Sequence, residues 1–148
     1  MKKLLMLVVI LSLVFVGYRV ANRNEVNARV AAEIQANPNG ERARRSMLVT
    51  LQDGRQYPVN FLREGNKVYM GIDGFWWRAF VNEGQPVSVF LRGSEFKGHA
   101  RTVLNDPAYT QRVFADLRPK WPAWLPSWLN GKLVVIELEL SSDSVDSR

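Results

Sequence analysis

The stretch GIDGFWWRAF, residues 71 to 80, gathers two glycines, an aspartate, an arginine and three consecutive aromatics. Gly71 and Gly74 let backbone amides approach a ligand closely, and successive N–H groups can cradle a phosphate. Asp73 would repel that phosphate, so a cap on a helix beginning at Phe75 suits it better. The competing reading is a plain Asp-Gly turn. Adjacent residues on a short helix cannot share a face. Of Trp76 and Trp77, one is therefore expected against the core and the other toward a cleft or a partner chain. Arg78 has the charge to meet a phosphate or a partner's carboxylate.

Other candidate clusters are weaker. Lys97, His99 and Arg101 alternate along an apparent strand and share a face that would suit an anion, although a solvated strand face is the commoner outcome. His99 is the only histidine and there is no cysteine, so multi-histidine and thiolate metal sites are excluded. No Gly-x-Ser-x-Gly accompanies His99, and no metal site or catalytic side chain is assigned. Glu137 and Glu139 alternate with Ile136, Leu138 and Leu140, as on the outward face of a half-buried strand. In KWPAWLPSWL, residues 120 to 129, Pro122 and Pro126 forbid one regular helix. Trp121, Trp124 and Trp128 are expected first to cap a barrel, second to touch a membrane interface, with a lid over a pocket as a further reading.

Positioning these residues falls to a chain of 148 residues, enough for one domain with a real core. An excess of 20 Lys+Arg over 14 Asp+Glu gives a formal charge of +6, which favours anionic partners. The basic residues are dispersed apart from Arg42, Arg44 and Arg45, and no nucleic-acid motif accompanies them, so nucleic acid is not expected. At the N-terminus, Lys2 and Lys3 precede an apolar run from Leu4 to Val16. Arg19 and Ala21 make a poor cleavage pair, so residues 1–21 are expected to be an uncleaved signal-anchor, with 4–21 in the membrane. As a helix that segment reaches about 27 Å. The side of the membrane stays open, because Arg19, Arg23 and Arg29 compete with Lys2 and Lys3. Residues 22–41 read as a juxtamembrane helix and linker, with NPNG breaking the chain at 37–40.

From residue 42 to 140 strand signals dominate. A hairpin turns at Asp53-Gly54, a second turn lies at 63–66, and strands follow in KVYMGI, QPVSVFLRG, EFKGHARTVL and KLVVIELEL. Asp106-Pro107 starts a helix carrying Tyr109, Val113, Phe114 and Leu117 at helical spacing. Residues 141–148 are expected to be a disordered tail. The fold class is mainly β (α+β): a six-stranded barrel with one or two helices, behind an N-terminal transmembrane helix.

Four stretches together carry a family likeness: YPVNFLREGNKVYM, the GIDG loop, FWWRAFVNEGQPVSVFLRG, and FADLRPKWPAW leading into GKLVVIELEL. Their order resembles the split β-barrel flavoproteins related to pyridoxamine-phosphate oxidase, and within them the deazaflavin-dependent nitroreductase/quinone reductase family. The resemblance covers about residues 45 to 140. It implies FMN or a deazaflavin coenzyme, a flat quinone- or nitroaromatic-like acceptor, and a homodimer. It also implies a cofactor site built from Arg55, Tyr57, Asn60, Gly71, Asp73, Gly74, Trp76, Trp77 and Arg78. Arg55 and the amides of Gly71 and Gly74 would hold phosphate; Tyr57, Asn60 and Trp76 would line the ring and substrate space; Asp73 would meet a ring N–H. One departure stands out. The family's basic, glycine-containing turn after the first strand is shortened here to QDGRQYP, retaining only Gly54 and Arg55. The cofactor is then a simpler flavin such as FMN, or absent, and the alternative function is a non-enzymatic, membrane-tethered binding module with a degenerate site.

Overall fold

The computed structural model describes residues 1–139; the tail expected at 141–148 lies outside the described residues. Helix α1 (Lys2–Ala36) runs unbroken through both the apolar run and the juxtamembrane stretch. Its first half is apolar and exposed, with a window of mean hydropathy 2.4, long and apolar enough to cross a membrane. The second half docks on the domain: Ile34 is fully buried against Ala43 and Leu48, with Val30, Ala31 and Phe90 alongside. The break at NPNG leads into a single turn, α2 (Glu41–Arg45). The packed unit thus reaches back to Val30, ahead of residue 42, because an apolar stripe on α1 needs a surface to bury against.

Six strands follow: β1 (Ser46–Thr50), β2 (Gln56–Glu64), β3 (Lys67–Ile72), β4 (Gln85–Leu91), β5 (Ser94–Thr102) and β6 (Lys132–Leu138). They close a barrel in the order β1-β2-β3-β6-β5-β4, every neighbouring pair antiparallel. Closure leaves no unpaired edge among the described strands to template aggregation. Alternation holds best on β4 and β5. Val87, Val89 and Leu91 point inward, as do Gly98, Ala100 and Thr102, whereas Lys97, His99 and Arg101 are exposed. Gly98 is small for a reason: a Cβ there would sit 2.8 Å from the Glu137 carbonyl oxygen and 2.9 Å from Ile136.

On β1, β3 and β6 the alternation fails, because a helix covers the outside of the barrel. Met47 and Val49 fill the interior, while Leu48 packs outward under α1 and α2. Met70 and Val134 likewise face in, and Tyr69 and Leu133 face out beneath helix α3 (Pro107–Leu117), against Val113 and Phe114. Asp106 caps α3 as expected, accepting from the Tyr109 N–H at 3.0 Å. A polar latch joins the helix to the sheet: the Tyr109 hydroxyl donates to the Tyr69 hydroxyl (3.1 Å), which donates to Glu64 (3.0 Å). Burial, reinforced by these two partners, raises the Tyr69 pKa above its ordinary value. These contacts fix where α3 ends, and therefore where Arg118 begins.

Candidate functional site

Directly after α3, Arg118 turns toward the end of β3. Its guanidinium donates to Asp73 Oδ1 (2.8 Å) and Oδ2 (3.2 Å), to the Asn130 carbonyl and side-chain oxygens (2.9 and 3.0 Å), and to the Gly71 carbonyl (3.2 Å). It also lies over the Phe114 ring, 5.3 Å from its centroid. One cation thus joins the ends of α3 and β3 to the turn before β6. The glycines make room for it. A Cβ on Gly71 would stand 2.6 Å from the Phe114 ring and 2.8 Å from the guanidinium, and one on Gly131 2.7 Å from the Asp73 carboxylate.

The expected cap by Asp73 needs correcting. Asp73 does not cap the segment after it: the 3-10 helix Phe75–Phe80 has Gly74 at its N-cap position and no side-chain cap bond. The carboxylate is drawn to the guanidinium of Arg118 instead, a stronger partner than a lone amide. Gly71 is required by side-chain packing behind it.

Next to this cluster, Tyr57 of β2 stacks on Trp76, with ring centroids 4.1 Å apart and planes 7° from parallel, and Phe80 meets Trp76 edge-on at 5.8 Å. The two tryptophans diverge, although both pack against the barrel core. Trp76 turns to the Tyr57 side, while Trp77 packs under Arg78 and Lys132, and its carbonyl accepts from the Thr102 hydroxyl (2.8 Å). Between these groups and α1 lies a cleft of about 550 Å³, lined from the barrel side by Tyr57, Asn60, Gly71, Asp73, Gly74, Trp76 and Arg118. Of the residues assigned to a cofactor site, six line this cleft; Arg55, Trp77 and Arg78 do not.

Arg55 stands at the tip of the β1–β2 hairpin, paired with Asp53 at 2.7 Å and 3.2 Å from the Tyr57 hydroxyl. The hydrogen bond between the two side chains lowers the Asp53 pKa and raises that of Arg55. Arg78 lies over Phe75 and Trp77. Asn60 accepts from the Ser46 hydroxyl at 2.8 Å. His99 sits 2.6 Å from the Glu83 carbonyl oxygen, away from the cleft. Among the described residues no group of three or more His, Asp or Glu could hold a metal.

Capping of the barrel by the tryptophan segment also needs correcting. Trp121 is half-buried, but Trp124 and Trp128 are 81% and 74% exposed. Pro122 and Pro126 break the segment, leaving only the short 3-10 helix Ser127–Asn130, so the three indoles never align on one buried face. Arg118 was missed by sequence reasoning, as were Val20, Arg23, Asn24 and Asn27 of α1, which form the cleft's remaining wall. Only their helical spacing could have signalled them.

A flavin ring system is compatible with these residues. The volume is within the usual range for small-molecule sites, and Tyr57, Trp76 and Val59 supply flat and apolar wall beside polar Asn60. The expected phosphate cradle is less well matched, since Arg55 is paired with Asp53 and the Asp73 carboxylate faces the cleft. No family model and no curated protein matches the chain. Among solved structures it is similar to a pyridoxamine 5'-phosphate oxidase-like protein from Listeria innocua, with a TM-score of 0.51 and 19% identity, over 74% of this chain and 93% of that one. At that identity the likeness establishes the fold alone: the domain is a six-stranded split β-barrel, the fold it shares with that structure.

Proposed function

We propose that this chain is a membrane-anchored oxidoreductase that holds a flavin or deazaflavin in the cleft between β2, the end of β3 and α1, and reduces a flat quinone- or nitroaromatic-like acceptor. The observation that carries the reading is the cleft itself, about 550 Å³ beside the stacked Tyr57–Trp76 pair, on a barrel with the split-barrel fold. A bound flavin would supply hydride transfer, which none of the cleft's side chains can perform. The chain's own residues bind and orient. Tyr57, Val59 and Trp76 offer apolar surface to the ring, Asn60 offers a polar edge contact, and the Asp73–Arg118 pair fixes the floor. An apolar acceptor would reach such a site from the membrane that α1 is suited to enter. The resemblance to split-barrel flavoproteins further suggests a homodimer, which sedimentation of the detergent-solubilised chain would test.

The deciding experiment is titration of the full chain in detergent with FMN and with a deazaflavin coenzyme, read by tryptophan quenching and the visible spectrum. Binding at tens of micromolar or tighter is expected, weakened in Tyr57→Ala. Absence of quenching by both would sink the oxidoreductase reading. It would leave the second one, a tethered binding module with a degenerate site, which the Asp53–Arg55 pairing and the shortened basic turn favour.

A further inference from the structure

Val20, Arg23, Asn24 and Asn27 line the cleft, and Val30, Ala31 and Ile34 pack on the barrel. Together they form one stripe at helical spacing, with Arg23/Asn24 and Val30/Ala31 as adjacent pairs and three positions separating the rest, so a single face of α1 looks at the domain along its length. That face changes character partway. Where it meets the barrel wall it is apolar and ends in the fully buried Ile34; where it spans the cleft it is, after Val20, an arginine and two asparagines. Polar groups on the domain-facing stripe, over the cleft and not over the wall, have a use if something polar lies between.

The charges point to what that is. The cleft is lined by Arg23, Arg118 and Asp73 as its charged residues. Arg118 and Asp73 neutralise each other, and both terminal nitrogens of Arg118 already donate to protein oxygens. The ion pairs among the described residues engage Arg42, Arg45, Arg55, Arg112 and Arg118, and Arg23 is in none. It is therefore the cleft's uncompensated cation. It also lies just past residues 4–21, the segment expected in the membrane, where a charged head can stay in water.

We infer that α1 is part of the ligand site, and that Arg23, flanked by Asn24 and Asn27, holds the anionic tail of the bound cofactor in place of the shortened basic turn. The inference rests on the proposed flavin or deazaflavin site and assigns its anion-binding side. An arginine suits the task, since its fork can grip two oxygens of a phosphate or carboxylate at once. The membrane helix then contributes to binding as well as to anchoring.

The test compares ligands that differ only in the tail, using the full chain in detergent. FMN is titrated against riboflavin, and the deazaflavin coenzyme against its tail-less chromophore, by tryptophan quenching. The parent chain should prefer the tailed ligand by roughly tenfold, the scale of one solvent-accessible charge-assisted contact. Arg23→Gln should erase that preference while leaving riboflavin affinity unchanged, Arg23→Lys should restore part of it, and Arg55→Gln should leave it intact. A preference that survives Arg23→Gln, or vanishes in Arg55→Gln, would overturn the assignment to Arg23 yet leave the flavin site standing. Failure of every ligand to bind the parent chain would overturn both.

Discussion

Two aspartate–arginine pairs sit at the two ends of the same region, and they do different work. Asp53 and Arg55 are two residues apart at the tip of the β1–β2 hairpin, 2.7 Å from each other, with both side chains about half exposed. Asp73 and Arg118 are 45 positions apart, 2.8 Å from each other, with the arginine side chain only 22% exposed. The hairpin pair satisfies itself. Its partners are close in sequence and water surrounds both, so its net worth is small. The other pair gathers the Gly71 carbonyl and both oxygens of Asn130 around one guanidinium. There the charge joins three separate segments of chain; removing it strands the acceptors of Asn130 and Gly71, whereas the Asp73 carboxylate, 69% exposed, can turn to water. The same two residue types make a local ornament in one place and a tertiary joint at the cleft floor in the other.

Breaking the joint should have the largest effect. Arg118→Met keeps apolar stem length but removes every donor, and should cost about 2–3 kcal/mol of unfolding free energy, measured by denaturant titration. A change indistinguishable from zero would mean that the joint is no more than the hairpin pair transplanted. Gly71→Ala attacks the same joint sterically. Its new Cβ would meet the Phe114 ring at 2.6 Å, for an expected loss of roughly 1–3 kcal/mol in the same assay. Asp73→Asn retains an acceptor while removing the charge, and should cost less than either, roughly 1 kcal/mol.

At the hairpin, Arg55→Ala should leave the midpoint of thermal unfolding within experimental error. What should move is the Asp53 carboxyl, whose pKa Arg55 holds below the ordinary value of 3.8. In the variant it should rise back toward that value, followed by NMR titration. Because the folded pKa is the lowered one, any stability the pair contributes is present above the unfolded value and disappears as pH falls through the folded one. A midpoint that drops with Arg55→Ala at neutral pH would erase the contrast between the two pairs.

How legible was this in the sequence? The hairpin at Asp53-Gly54, the turn at 63–66, the Asp106 cap and all six strands announce themselves through local chemistry, and the structure has them there. Divergence of Trp76 from Trp77 follows from adjacency alone. Asp73 was misplaced for an equally physical reason. Its sequence neighbours suggest a cap, but its partner follows α3, far along the chain, and no local pattern reports a contact across 45 residues. The tryptophan segment misled similarly: indoles suggest burial, and only the path of the chain between two prolines leaves Trp124 and Trp128 in solvent.

What the sequence determined by itself is whatever one segment's own bonding and hydropathy decide: an apolar N-terminal helix, short alternating strands punctuated by glycine turns, and a capped helix before the last strand. What only the tertiary structure decided is which segments meet. Helices laid over the barrel turn Leu48, Tyr69 and Leu133 into core residues on the outer face of their strands. Arg118 acquires Asp73 as a partner, and a stripe on α1 becomes a wall of the cleft. Periodicity encodes a face, but what that face meets depends on how distant parts of the chain pack together, and there the chemistry of the site is assembled.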